Sequence, residues 1–214
     1  MLRDFLLEII LIIPAILIGF TFHEFAHALV ADRLGDKTPR FQGRLTFNPF
    51  AHIDPMGFIM ILFFHFGWAK PVQVNTRAFK NRNRDHLLVS VAGPLANLVA
   101  ALLFAVINGL FIRFTMNISL GSLGGIISTI NTYVIMININ LALFNLLPIP
   151  GLDGFHILED LFPRTFYKYG EILYRYQFII MILIIGTNIT GTIIGIPAGY
   201  LNRIMTLITF GIAF

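Results

Sequence analysis

The sequence lacks cysteine and is poor in charge. With no cysteine among its 214 residues, disulfide bonds, thiolate zinc sites and cysteine nucleophiles are all excluded. Charged residues make up 12% of the chain, against about 25% in a typical soluble domain. Hydrophobic residues account for 57%, which excludes a disordered chain and argues against a water-soluble globule. We therefore expect a single domain over residues 1–214 that is embedded in the lipid bilayer.

The formal net charge of +4 does not indicate nucleic-acid binding, because the basic residues cluster in short segments between apolar runs. Segment 33–44 holds four Lys or Arg and segment 70–84 holds five, whereas segment 113–125 holds one. Lysine and arginine concentrate in the short cytoplasmic loops of membrane proteins. We therefore expect a multi-pass protein of the cell membrane, with no nucleic-acid partner, whose first span runs from outside to inside.

Long uncharged runs predict an all-α polytopic membrane fold with about 4–6 transmembrane segments. The candidate spans are 5–31, 87–112, 126–147 and 176–202. Segment 201–214 is short, and its crossing stays open. Residues 55–69 are too few for a helical crossing, so we expect a short re-entrant or β-hairpin element between the first two main spans. Segments 41–47 and 71–75 are candidates for short strands beside it.

His23-Glu24-Phe25-Ala26-His27 is an H-E-x-x-H sequence at the end of the first apolar run. On a helix, residues four apart share a face, so His23 and His27 can hold one zinc ion, with Glu24 beside them as a candidate general base. Ionisable groups inside a membrane span are costly unless they serve a site. From the helical rise of about 1.5 Å per residue, His23 lies roughly 13 Å inside the membrane boundary. We expect the site to open toward the cytoplasm.

A catalytic zinc site needs a third protein ligand, and Asp153 is the candidate. It ends a run of 39 uncharged residues, in a stretch where two prolines and two glycines break the helix. Freed backbone groups at membrane depth are tolerated where they line a protein cavity. The positive-inside count places this break on the same membrane face as His27. The alternative interpretation of Asp153 is a turn residue that ends a helix.

Three further polar residues have simpler interpretations. His52 and Asp54 lie beside a turn and either form loop hydrogen bonds or shape the cleft of the site. Asn140 lies on the same apolar span as the break, and we expect it to hydrogen-bond to a neighbouring helix.

The sequence resembles the site-2 protease family of intramembrane zinc metalloproteases. The resemblance rests on H-E-F-A-H at 23–27 and N-L-L-P-I-P-G-L-D-G at 145–154. It is strengthened by G-R-L-T-F-N-P-F-A-H-I-D-P-M-G at 43–57, A-K-P-V-Q-V-N at 69–75 and A-G-P-L-A-N-L at 92–98. These segments resemble the compact bacterial or archaeal branch that has no PDZ or CBS domain.

The resemblance implies an enzyme, an HExxH-type zinc metalloendopeptidase with one Zn²⁺ per chain. It implies that His23, His27 and Asp153 ligate the metal and that Glu24 acts as catalytic base and acid. It also implies that Asn145 holds the substrate or the developing oxyanion. The expected reaction is hydrolysis within or near transmembrane segments of a membrane protein or peptide substrate, as in regulated intramembrane proteolysis. The alternative is a proteolytically inactive zinc-binding membrane protein of the same fold.

Overall fold

Helices make up most of the chain. The computed structural model describes residues 2–64, 67–116, 122–187 and 189–214. The helices are α1 (Leu2–Arg33), α2 (Thr38–Phe41), α3 (Pro55–Phe64), α4 (Arg82–Thr115), α5 (Ser122–Asn145), α6 (Asp153–Leu161), α7 (Pro163–Arg175), α8 (Gln177–Gly186) and α9 (Ile189–Ala213). Single 3-10 turns lie at Pro49–Ala51 and Thr76–Ala78. Within the described ranges no β-strand is formed, so the prediction of an all-α fold is confirmed.

Four helices among the described residues are long and apolar enough to cross a membrane. They cover Leu7–Arg33, Arg82–Thr115, Ser122–Asn145 and Gly191–Ala213. The first three agree with the predicted spans at 5–31, 87–112 and 126–147. The chain is therefore a multi-pass membrane protein, as its composition predicts.

The prediction for the fourth span is wrong in position. Residues 176–202 were expected to cross as one helix, but α8 ends at Gly186 and is too short to span a bilayer. The helix long enough to cross is α9, whose C-terminal half takes up residues 201–213. The physical reason is that Gly186 and Thr187 have low helix propensity, although they leave the run uncharged.

The segment between α1 and α4 is compact but does not contain the expected strands. Residues 41–47 turn at Gly43, whose φ is +69°. In segment 71–75, Val72 and Asn75 give their backbone N–H groups to carboxylates on and after α1 instead of to a partner strand. An antiparallel bridge joins Ile53, just before α3, to Ala69, just after it, so the two ends of this element lie side by side.

Helix α4 lies at the centre of the fold and packs against α1, α5, α6 and α9. Its fully buried Ala101 and Ala105 face Ile139 of α5 and Met205 of α9. Small residues at such positions allow helix backbones to approach closely, which is how helices associate in membranes. The faces of α1 and α5 that carry the candidate site residues are thereby held against one central helix.

Candidate metal centre

His23, His27 and Asp153 come together although the second and the third are 126 positions apart in the sequence. The Nε2 atoms of the two histidines lie 3.0 Å apart. The Oδ2 atom of Asp153 lies 3.1 Å from Nε2 of His23 and 3.4 Å from Nε2 of His27. Both histidines are buried, with exposed fractions of 7% and 8%, in a helix long enough to span the membrane. In the part of the chain that the structure describes, this is the one group of three or more His, Cys, Asp or Glu side chains spaced to hold a metal ion.

The hydrogen bonds behind the two histidines point their Nε2 lone pairs at Asp153. Nδ1 of His27 donates to the carbonyl oxygen of Val89 at 2.8 Å. Nδ1 of His23 donates to Oδ1 of Asn97 at 2.7 Å, since both amide hydrogens of Asn97 go to other acceptors. A neutral imidazole that donates from Nδ1 presents a lone pair at Nε2. Bonds of this kind orient the histidines of metal sites.

The residues present fit a zinc ion. Within the described residues, Oδ2 of Asp153 is buried without a hydrogen-bond partner, and it faces two imidazole nitrogens that carry lone pairs. Three acceptor atoms facing one another are favourable when a cation lies between them. Tetrahedral zinc, with bonds of about 2.0–2.1 Å, sets its ligand atoms about 3.3 Å apart, which is close to the spacings found here.

Gly93 of α4 lies directly against the two histidines. A Cβ atom built at Gly93 would come within 2.6 Å of Cε1 of His27 and 2.7 Å of Cε1 of His23. Contacts below 3.0 Å are not found for real Cβ atoms, so a larger residue must displace the rings. The A-G-P-L-A-N-L segment therefore brings α4 close enough for Val89 and Asn97 to reach the imidazoles.

The break between α5 and α6 delivers Asp153 to the histidines. Helix α5 ends at Asn145, and Asp153 is the first residue of α6. Gly151 has a φ of +95°, a conformation that glycine adopts without strain. Gly154 lies under the backbone of the break, where a Cβ would come to 2.5 Å from the carbonyl oxygen of Leu147. The break predicted from prolines and glycines is present, and it ends at the predicted ligand.

Glu24 is buried beside the histidines and is held by backbone of the 71–75 segment. Its Oε2 accepts a hydrogen bond from the N–H of Val72 at 2.9 Å. The same segment is attached at Asn75, whose N–H donates to Oδ2 of Asp36 at 2.7 Å. Gly35, with a φ of +115°, ends α1 in a Schellman turn that turns Asp36 back toward this segment.

Asn145 is near the metal centre in sequence, but its amide is engaged elsewhere. Its Nδ2 donates to the carbonyl of Leu141 one turn earlier in α5, at 2.9 Å. The predicted contact of Asn145 with a substrate or oxyanion stays a prediction.

His52 and Asp54 make loop hydrogen bonds. Oδ1 of Asp54 accepts from the N–H of Gly57 at the start of α3, at 2.8 Å. Nε2 of His52 donates to the carbonyl of Thr46 at 2.8 Å, and the ring is fully buried. Burial, with the nearby charge of Arg44, lowers the pKa of His52 below its ordinary value. Arg44 itself donates to the carbonyls of Ala51 and Lys70 and so closes this loop.

Sequence reasoning missed the residues that support the histidines from α4. The A-G-P-L-A-N-L segment at 92–98 contains Gly93 and Asn97, and Val89 lies just before it. From sequence, this segment indicated a family resemblance but no role for an individual residue. The helical spacing of these three residues places them on one face, and three residues at such spacing on an apolar helix are too common to single out. The pairing of α4 with α1 was the missing information.

Comparison with known proteins agrees with the resemblance in sequence. The family model for peptidase family M50 matches residues 11–184. Three relatives carry the name "Putative zinc metalloprotease": YwhC of Bacillus subtilis, Rip2 of Mycolicibacterium smegmatis and MJ0611 of Methanocaldococcus jannaschii. No solved structure matches the chain.

The relatives are similar over much of the chain. YwhC is 43% identical over 152 residues, which cover 71% of this chain and 69% of YwhC. Rip2 is 35% identical over 163 residues, or 73% of this chain, but the match spans only 59% of Rip2, less than two thirds of its length. MJ0611 is 28% identical over 144 residues, 66% of this chain and 65% of MJ0611.

Proposed function

Because the chain belongs to peptidase family M50, the site-2 protease family, we propose that it is an intramembrane zinc metalloprotease. Its reaction is hydrolysis of peptide bonds within or near the transmembrane segments of membrane proteins, as in regulated intramembrane proteolysis. The observation that carries the proposal is the convergence of His23, His27 and Asp153 at one end of helices long enough to span a membrane.

His23, His27 and Asp153 hold one zinc ion per chain in this proposal. Zinc with three protein ligands keeps a position open, lowers the pKa of water to near neutrality and polarises a scissile carbonyl. Glu24 supplies proton transfer: its carboxylate takes a proton from the attacking water and returns it to the leaving amine as the C–N bond breaks. The N–H of Val72 holds this carboxylate in place, so its second oxygen is left for the water.

An apolar cavity supports the view that the substrate is a membrane segment. It has a volume of about 440 Å³ and lies between α1, α3, α5 and α9. Its α1 wall is formed by Glu8 at one end and by Ile9, Ile12, Ile16 and Phe20, which follow at spacings of three and four residues. The same helical face continues into His23, so a substrate side chain in the cavity lies in line with the metal centre.

The substrate backbone must leave its helix before cleavage, because an intact helix hides its carbonyl groups. Segment 71–75, which contacts Glu24, and the opened backbone at 146–152 are the places for an extended substrate to pair by edge addition. In this proposal Asn145 exchanges its bond to Leu141 for one to the substrate or the oxyanion.

The distribution of lysine and arginine supports a cytoplasmic opening of the site in the cell membrane. In this proposal the element around α3 is re-entrant from that face, which the short length of α3 and the bridge between Ile53 and Ala69 support. The absence of cysteine allows a direct test. Single cysteines introduced at Lys80 and at Leu123 should react with a membrane-impermeant maleimide from opposite sides of oriented vesicles.

The deciding experiment compares zinc content and proteolysis in one preparation. Detergent-purified protein is analysed by metal mass spectrometry, and cleavage of a single-span substrate is measured in liposomes. We expect about one zinc per chain, lost in His23→Ala and Asp153→Ala. Glu24→Gln should keep zinc and lose cleavage by at least 100-fold, the lower range for a general base. Glu171→Gln, at an exposed carboxylate of α7, serves as the control.

The possible results separate the alternatives. Full cleavage by Glu24→Gln would rule out the assigned base. Zinc bound in the wild type without cleavage of any single-span substrate would favour the proteolytically inactive zinc-binding protein. Full zinc occupancy in Asp153→Ala would move the third ligand elsewhere.

A further inference from the structure

One face of α4 contacts the elements that carry all three candidate metal ligands. His86, Val89, Gly93 and Asn97 follow one another at spacings of three, four and four residues, so their side chains or carbonyls share that face. Asn97 and Val89 bond to His23 and His27, and Gly93 lies against both rings. The remaining member of the row is His86, one turn before Val89, and it contacts α6 instead of α1.

His86 is bonded to the helix that begins at Asp153. Its Nδ1 donates to Oδ2 of Asp160 at 2.8 Å, and the side chains of His86 and Asp160 are 19% and 8% exposed. Its ring also meets the ring of His156 edge-on, with centroids 5.4 Å apart. The two residues are 74 positions apart in the sequence, so the bond fixes α6 against α4 and not against the segments next to α6 in the chain.

Asp160 and Asp153 lie on the same side of α6. They are seven residues apart, which is two turns, or about 10.5 Å along the axis at 1.5 Å per residue. A helix advances by about 100° per residue, so a slip of α6 by a single residue would turn Asp153 away from the histidines. A bond at Asp160 therefore controls the rotation and the axial position of Asp153.

The other contacts of α6 among the described residues hold different parts of the helix. Helix α6 packs against α4 and α7. On the α7 side, Tyr174 donates to Oε2 of Glu159 at 3.0 Å, and Phe155 is buried against the rings of Phe166 and Tyr174. These contacts attach α7 to α6 but do not set α6 against the histidines. The break before α6 packs closely at the first turn of the helix, where Gly154 lies against the carbonyl of Leu147, and the His86–Asp160 bond adds a fixed point two turns further along.

We propose that the His86–Asp160 hydrogen bond is a positioning device for the third metal ligand, placing Asp153 in register with His23 and His27 on the common face of α4. The inference rests on the proposed function, because it assumes that the three side chains hold a metal. His86 and Asp160 are positioning residues and touch neither metal nor substrate. The bond needs only a hydrogen on Nδ1 of His86, which both the charged ring and one neutral tautomer provide.

The test uses cobalt(II) in place of zinc, because its visible absorption reports the ligands and their geometry. Full-length protein in detergent is titrated with Co²⁺ as wild type, His86→Ala, Asp160→Ala and Asp160→Asn. We expect His86→Ala and Asp160→Ala each to bind Co²⁺ about 10-fold more weakly, the lower value for partners of metal ligands, with an altered spectrum. Asp160→Asn keeps an oxygen acceptor for His86 and should restore the affinity to within a few-fold of wild type.

Two comparisons separate positioning from general stability. Tyr174→Phe removes a hydrogen bond to the same helix from the α7 side and should leave Co²⁺ affinity and spectrum unchanged. The double variant His86→Ala/Asp160→Ala should bind Co²⁺ no more weakly than either single variant, because each single variant already breaks the same hydrogen bond. Asp160→Ala carries the test if His86→Ala does not fold.

The results that would overturn the inference differ from those that would overturn the proposed function. Wild-type affinity and spectrum in His86→Ala or Asp160→Ala would reject the positioning role alone. If Tyr174→Phe lowered both the unfolding temperature and the Co²⁺ affinity as much as His86→Ala does, the His86–Asp160 bond would contribute only to general stability. Failure of the wild type itself to bind Co²⁺ or Zn²⁺ would reject the proposed function, and the inference with it.

Discussion

Asn97 lies behind His23, with its Oδ1 atom 2.7 Å from the Nδ1 atom of the imidazole. The amide hydrogens of Asn97 go to the carbonyl of Gly19 at 3.0 Å and to Oδ1 of Asn138 at 2.9 Å. The side chain is completely buried and joins α4 to α1 and α5. One amide therefore both sets the tautomer of a candidate metal ligand and connects the three helices around it.

Replacing Asn97 with alanine should weaken metal binding. The substitution removes the acceptor of the His23 Nδ1–H bond and leaves Asn138 without its donor. Loss of such a partner typically costs 10–100-fold in metal affinity, so we expect a reduction in that range in a competitive zinc titration. Asn140→Ala is the matched control, because Asn140 is exposed and donates only within its own helix. Equal zinc affinity in Asn97→Ala and the control would contradict this role.

Gly93→Ala should disturb the metal centre although it adds a single methyl group. The new Cβ would overlap both imidazole rings, so the rings or α4 must move. We expect at least a 10-fold loss of zinc affinity, as for displaced partners of metal ligands, and a matching loss of cleavage. In Gly125→Ala the methyl group meets nothing within 4 Å, and alanine should stabilise α5 by up to about 1 kcal/mol. Normal zinc affinity in Gly93→Ala would show that α4 is not held against the histidines.

Much of the candidate site could be predicted from sequence because its signals are local. His23, Glu24 and His27 lie within five residues, and the break at Asp153 combines two prolines with two glycines, which together end a helix. The first three spans follow from uncharged runs in the same way. The fourth was misplaced because hydropathy records the lack of charge and not the low helix propensity that ends α8.

The supporting residues could not be predicted because they depend on how helices are rotated against one another. Asn140 was expected to join two helices, but it donates to Met136 in its own helix, and Asn138 makes the bond between helices instead. Two residues along a helix correspond to a rotation of about 200°, so the side chains of Asn138 and Asn140 lie on nearly opposite faces of α5. An almost uniformly apolar span does not show which of the two asparagines faces a neighbour. His86 and Asp160 pose the same problem across 74 residues.

His52 should make the protein less stable in mild acid. Burial lowers the pKa of His52 below its ordinary value of 6.5, with the Thr46 carbonyl opposing the shift and the charge of Arg44 adding to it. Below pH 6.5 His52 therefore binds a proton in the unfolded chain but stays neutral in the folded chain until the pH reaches its lower folded-state pKa. This contribution is complete above pH 6.5 and declines as the pH falls toward the folded-state pKa, by at most about 1.4 kcal/mol per pH unit.

Thermal unfolding in detergent at about pH 7.5 and about pH 5.5 tests the role of His52. The wild type should lose more stability between the two pH values than His52→Gln, whose side chain does not titrate in this range. The informative quantity is the difference between wild type and variant, because the other five histidines contribute equally to both. An identical pH dependence in the two proteins would mean that His52 accepts a proton in the folded state.

Val72→Pro should impair catalysis by removing a backbone hydrogen bond to the candidate base. Proline has no N–H, so the hydrogen bond to Oε2 of Glu24 is lost. Hydrogen bonds to charged groups contribute about 1.5–3 kcal/mol, which corresponds to at least a 10-fold fall in activity. If the bond orients the base, the fall should lie in kcat and not in KM, with zinc affinity retained. Val72→Ala keeps the N–H and should remain near wild type; a fall in kcat equal to that of Val72→Pro would assign the effect to the valine side chain.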